Sequence, residues 1–213
     1  SDGTTADLGS SLVGGGVIGL VLLVAQWLLG EEAAERASAE SLRRQLTTSD
    51  DFKGIDLDGA VLPDLYAPDR VLLAASLRDA DLTRARLFFS DMRHVDARGA
   101  MLLRADLRGV NLAEARLEGA DLRGADLTDA SLRGACLQGA KLAGAVLDQV
   151  GLERADLRAP DLAAAELGAV MWDETTLWPD GFEPPPSVSL SWGFLESGKP
   201  SFERYLEDRR AEL

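Results

Sequence analysis

The sequence predicts a solenoid built from tight five-residue turns, and three observations carry that prediction. Every fifth residue from Leu72 to Leu167 makes twenty positions, and eighteen are leucine, with Met92 and Ala97 the exceptions. Two residues before each leucine stands a small residue. Of seventeen such positions from Ala75 to Ala155, thirteen are alanine and the others are Ser90, Val95, Val110 and Val150. Thirdly, a period of five suits neither regular structure. On a helix of about 3.6 residues per turn, steps of five set leucines about 140° apart, so they spiral around every side. On a flat strand the side chains alternate, and leucines five apart fall on opposite faces. A chain that turns a corner every five residues points each leucine and its small neighbour at one axis, and stacking such turns buries a continuous column.

The unit is plain in Ala120-Asp121-Leu122-Arg123-Gly124-Ala125-Asp126-Leu127. This Ala-Asp-Leu-x-x register resembles the pentapeptide-repeat family, and the resemblance covers roughly residues 55–181. It implies an all-β fold, a right-handed quadrilateral β-helix in which four pentapeptides make one square coil. The leucine and alanine slots face inward and the other three outward. Twenty-five centre positions from Leu57 to Leu177, read as one unbroken phase, imply about six coils. At roughly 4.8 Å per coil the column stands about 30 Å tall. Glycines two residues after the centre position (Gly59, Gly99, Gly109, Gly119, Gly124, Gly134, Gly139 and Gly144) are expected at the corners. The first coil departs from the pattern, with Leu65 and Arg70 in small-residue slots, Ala67 in a leucine slot, and Pro63 and Pro68 nearby. A distorted or bulged start is expected there, because Arg70 does not enter an apolar core unpaired. Pro160 is the milder departure, costing one amide donor.

Outside the repeats, Leu12 to Leu29 is an uncharged run of eighteen residues with Gln26 its one strongly polar member. At 1.5 Å per residue it reaches about 27 Å, close to a bilayer's apolar thickness. No basic leader precedes it, which disfavours a signal peptide. A transmembrane helix over 12–30 is therefore expected, after an N-terminal tail over 1–11. Basic residues follow the run (Arg36, Arg43, Arg44, Lys53) and none precede it, which places the repeats on the cytoplasmic side of a single-pass cell-membrane protein. Ser11, Gly15 and Gly19 recur at the spacing of close helix packing in lipid, a candidate contact with a second copy or another membrane subunit. A helical stalk is expected over 31–50 and the β-helix over 55–182, closed by Trp172, Trp178 and Phe182. A proline-rich linker and short amphipathic helix complete the chain over 183–213.

Composition narrows the function. One cysteine excludes an internal disulfide. The net charge of −14 suggests a nucleic-acid mimic, but residues 55–170 carry only nineteen acidic against fourteen basic side chains. His94 and Cys136, the only residues of their kinds, fall in outward slots two coils apart, too distant for joint nucleophilic catalysis. No metal-ligand spacing and no phosphate-cradling loop appear. No catalytic, cofactor or metal site is expected, and the chain reads as a non-enzyme.

One region breaks the polar coat. With four repeats per coil, Tyr66 and Phe88 share a face in successive coils, with Phe89 at its corner and Val71 and Leu73 on the adjoining face. Met101 and Leu103 flank a leucine slot on another face, read as one coil above Val61. Outward apolar side chains of this kind mark a covered surface, either by the chain's own tails or by a protein partner or second copy. Tyr66, Phe88, Phe89, Met101 and Leu103 are the candidate contacts of a membrane-anchored scaffold. The alternatives are a subunit of a larger membrane complex or, since some pentapeptide-repeat proteins act as DNA-shaped modulators of type II topoisomerases, a protein of that kind; direct nucleic-acid binding is not expected.

Overall fold

The computed structural model describes residues 39–188. Over most of that length the chain is a stack of square coils. Parallel bridges join the residue that precedes a leucine slot to the residue twenty positions later, from Asp51↔Val71 through Gly151↔Met171, with Lys141 and Asp161 the pair left out. Among the described residues only Val146–Leu147 (β1) and Glu166–Leu167 (β2) extend to a two-residue parallel pair. The inward slots are sealed: Leu107, Leu117, Leu127 and Leu137 have no exposed surface, and neither do Ala100, Ala120 and Ala140.

The hydrogen bonds explain the unit residue by residue. The Leu57 N–H donates to the Ser76 carbonyl at 2.8 Å and the Gly59 N–H to the Arg78 carbonyl at 2.8 Å. The Ala60 N–H closes a turn onto the Leu57 carbonyl at 3.1 Å, and the Ser76 N–H reaches the Ile55 carbonyl at 2.8 Å. Four of the five amides are thus satisfied by backbone. The fifth belongs to the residue after the leucine, and the side chain before the leucine accepts it. Asp56 Oδ1 takes the Asp58 N–H at 3.1 Å, Asn111 Oδ1 the Ala113 N–H at 3.1 Å, and Asp126 Oδ1 the Thr128 N–H at 3.0 Å. Aspartate recurs in that slot because it pairs the one amide the stack leaves over.

Corners follow from the same turn. From Gly54 to Arg154 the residue two after each centre position has φ between +55° and +69°, the requirement of a type II turn at its third position. Glycine adopts this freely, yet twelve non-glycine residues adopt it too, among them Phe89, Arg84 and Arg104.

The expected distortion at the start is absent, and the position of the prolines explains why. Pro63 and Pro68 stand directly after centre positions, where the N–H is the one the stack does not use and where a type II turn favours proline. Leu65 and Ala67 are buried at 4% and 1% exposure. The column also begins earlier than the sequence suggested, with Phe52 buried in the first centre slot. Helix α1 is described over 39–48, and its last turn closes this end: Leu46 is 2% exposed. Arg70 turns to that helix terminus, donating from Nε to the Leu46 carbonyl at 2.9 Å and from Nη2 to the Thr47 carbonyl at 3.0 Å, and it also pairs with Asp50. A cation at the C-terminal end of a helix meets unpaired carbonyls and the negative end of the dipole.

The regular pattern fails at the other end. Pro160 stands in a small-residue slot, whose N–H elsewhere closes the turn, and the chain after it runs into a 3-10 helix at Leu162–Ala164. The phase then slips by one, since Asp156 pairs with Leu177, twenty-one residues on. The unbroken phase read through Leu177 is therefore corrected. Thr176 takes the inward slot, with Oγ1 donating to the Leu152 carbonyl at 2.9 Å, and Leu177 faces out at 47% exposure. Trp172, Trp178 and Phe182 cluster at this end, with Trp172 edge to face on Trp178 at 5.8 Å and Trp178 stacked on Phe182 at 5.4 Å. The Pro185 carbonyl accepts the Trp172 indole N–H at 2.9 Å, so the proline-rich stretch packs back on the cap.

The membrane placement read from the sequence is also corrected. Among the described residues no helix is long and apolar enough to cross a membrane. The described part of α1 reaches about 15 Å at 1.5 Å per residue, and it carries Glu40, Arg43 and Arg44. The run over 12–30, with Ser11, Gly15 and Gly19, and the amphipathic segment over 201–213 lie outside the described residues.

Candidate docking face

The twenty-residue register sorts outward side chains into vertical columns. One face has Tyr66, Arg86, Asp106, Asp126, Val146 and Glu166 along its middle, successive members bridged to one another. Asp64, Arg84, Arg104, Gly124 and Gly144 line the corner before it, all at positive φ. Phe88 and Arg108, then Phe89 and Gly109, stand at the corner after it.

On the lower part of this face the rings gather. Tyr66 and Phe88 meet edge to face at 6.2 Å, and Phe88 and Phe89 at 5.7 Å. Tyr66 is 55% exposed, while Phe88 and Phe89 are half-buried. The Arg108 guanidinium lies 5.8 Å from the Phe88 ring centre and holds Asp106 with two hydrogen bonds of 2.8 Å. Phe89 has φ +60°, a conformation that bulky side chains rarely adopt. The structure thus brings together three of the five candidates.

Met101 and Leu103 sit around the corner on the neighbouring face. Met101 is 44% exposed and Leu103 half-buried. Met101 stands two coils from Val61, with Asp81 between them, and not one coil as the sequence reading had it. Val71 and Leu73, on the adjoining face, are half-buried.

Sequence reasoning missed the arginines of the first face. Asp64, Tyr66, Arg84, Arg86, Arg104 and Asp106 line an open depression of about 400 Å³ beside the ring cluster. A signal was available in Ala85-Arg86-Leu87, where arginine occupies the slot that aspartate usually fills. Elsewhere the charges neutralise each other at short range. Arg98, Arg123 and Arg158 each grip the aspartate two residues earlier, at 2.6 to 2.9 Å. Those hydrogen bonds hold the Asp96, Asp121 and Asp156 carboxyls below the ordinary carboxylate range. Burial pushes the half-buried Cys136 thiol up, away from the reactive thiolate. Among the described residues no group of three or more His, Cys, Asp or Glu side chains is placed to hold a metal ion.

Together these features define a β-helical solenoid with a cluster of outward aromatic rings on the lower part of one face. The sequence profile described as pentapeptide repeats (8 copies) matches residues 75–112, 105–142 and 135–168, and this stretch belongs to the pentapeptide-repeat family. No curated protein matches the chain. Among solved structures, QnrB1, a plasmid-mediated fluoroquinolone resistance protein, superposes with a TM-score of 0.51 at 17% identity, over 76% of this chain and 83% of that one. That likeness shows the fold, a right-handed β-helix. HetL, a pentapeptide repeat protein involved in heterocyst differentiation regulation from the cyanobacterium Nostoc, is 25% identical over 60% of this chain and 76% of that one, with a TM-score of 0.35. A pentapeptide repeat protein of the Arabidopsis thaliana thylakoid lumen is 26% identical over 55% and 71%, with a TM-score of 0.22.

Proposed function

We propose that this chain is a non-enzymatic protein-interaction module, a stiff column that presents the Tyr66 face to a protein partner. The observation that carries this reading is the outward ring cluster of Tyr66, Phe88 and Phe89, with Phe89 held in a left-handed conformation. The fold does not require it, since the same columns higher up carry Asp126, Thr128 and Asp129. Aromatic side chains with an arginine beside them are the residue types that dominate binding energy at protein interfaces. Met101 and Leu103 extend the contact around the corner. Assembly into a larger complex, as one of its subunits, uses the same surface.

The test is affinity capture with mass spectrometry, comparing the intact chain with a Phe88→Asp, Phe89→Asp variant. A partner held by the intact chain and lost by the variant is the expected result. Capture of topoisomerase subunits by both forms equally would overturn the reading in favour of a topoisomerase modulator.

A further inference from the structure

We infer that the depression beside the ring cluster is an anion subsite that receives the carboxylates of an acidic segment of the partner protein. This rests on the interaction reading above and names the chemistry of the partner. Ten of the thirteen arginines between residues 55 and 170 form ion pairs. Among the described residues the side chains of Arg86, Arg104 and Arg133 form neither an ion pair nor a hydrogen bond. Two of these three line the same depression. The carboxylates there are already engaged: Asp64 by Arg84 at 2.6 and 2.7 Å, Asp106 by Arg108 at 2.8 Å. Both remaining guanidinium forks are therefore open to an incoming oxyanion, on a chain whose net charge is −14.

Complementarity selects the occupant. Guanidinium forks match carboxylate and phosphate geometry, and an exposed phenol and two further rings adjoin them. A segment that alternates acidic with apolar residues along an extended backbone satisfies both parts. The open depression of about 400 Å³ has room for the acidic side chains of such a segment. Association through open arginines is steered by charge and weakened by salt.

The experiment uses the full chain and a fluorescein-labelled peptide, Asp-Leu-Glu-Tyr-Asp-Leu-Glu, in a fluorescence-anisotropy titration at low salt. Inorganic phosphate is the competitor, and the same peptide with lysine for each acid is the control. Arg86→Gln with Arg104→Gln is expected to weaken binding about tenfold or more, whereas Arg133→Gln leaves it unchanged. All three positions are exposed, and unchanged melting curves will show that the fold is kept. Phosphate is expected to displace the peptide only at concentrations far above the peptide's Kd. No binding of the acidic peptide, equal loss in the Arg133 variant, equal binding of the lysine peptide, or phosphate binding as tightly as the peptide each overturns the inference. If the arginine variant still captures the partner that the Phe88, Phe89 variant loses, the interaction reading stands and the anion subsite falls.

Discussion

The lower and upper halves of the Tyr66 face share one backbone and differ in almost everything else. The Arg86 N–H meets the Leu65 carbonyl at 2.7 Å below, and the Val146 N–H meets the Ala125 carbonyl at 2.9 Å above. Leu87 and Leu147 are equally buried behind them, at 1% and 0%. Outside, the lower half shows Tyr66, Arg84, Arg86, Phe88, Phe89 and Arg104, and the upper half Gly124, Asp126, Thr128, Gly144 and Asp148. The backbone pairing is thus kept whatever the two outward slots beside the leucine hold, an aspartate before the leucine adding a bond to the spare amide. The corner is more demanding, where Arg84, Phe89 and Arg104 hold φ near +60° and Gly124 and Gly144 do so without a Cβ. Each non-glycine corner costs about 1 kcal/mol. Such corners are more frequent on the half that carries rings and open cations, although Asp129 and Gln149 hold the same conformation on the upper half.

The comparison breaks first if the two halves do not share one core. Leu87→Ala and Leu147→Ala are each expected to lower unfolding free energy by about 3 kcal/mol, the loss of a buried isobutyl group plus its cavity. Urea unfolding of both variants checks this. A much smaller loss on one side means that half is loosely packed, and its surface then cannot be compared with the other.

What could be read from the sequence followed the inward slots. Period five and the alternation of leucine with small residues reported the column, because burial constrains those positions whatever lies outside. Proline was misjudged because its effect depends on which amide it removes: Pro63 and Pro68 delete the unused one, Pro160 one that closes a turn. The slip before Leu177 was hidden because a leucine happened to fall on the old phase, while Thr176 took the inward slot through a hydroxyl bond to the Leu152 carbonyl. Among the site residues, three aromatics were legible as exceptions to a polar coat. The arginines of the depression were not: Arg86 stands out only by filling an aspartate slot, Arg104 not at all, and it takes the ion-pair pattern to set both apart from most other arginines.

Corner strain offers a smaller and more pointed test. Phe89→Gly is expected to raise stability by about 1 kcal/mol through relief of the left-handed conformation, offset in part by the lost ring contacts. Gly124→Ala is expected to lower it by a similar amount, since a Cβ there meets Arg104 Cγ at 3.3 Å and φ is +65°. Opposite signs at two corners of one face, measured by urea unfolding, support the view that strain and surface chemistry go together. A loss at Phe89→Gly would mean that the ring is chiefly structural, which weakens the docking reading.

The smallest effect separates the paired surface from the unpaired arginines. On another face Asp58 accepts hydrogen bonds from the Arg78 guanidinium and from Ser76, which lower its carboxyl from 3.8 to about 2. A carboxyl lowered on folding stabilises the native state above its unfolded value and loses that contribution as pH falls through its folded value. The contribution of Asp58 is therefore fully present above about pH 4 and disappears by about pH 2, modestly, because the pair is exposed to solvent and salt. In melting temperatures taken across that range, the gap between the native chain and Asp58→Asn is expected to close toward the acid end. Arg86→Gln removes a cation that holds no carboxylate among the described residues, so its gap from the native chain is expected to stay flat over the same range. A gap that closes in acid for Arg86→Gln would reveal a carboxylate partner for Arg86 in solution, and the depression would then not be open to an incoming one.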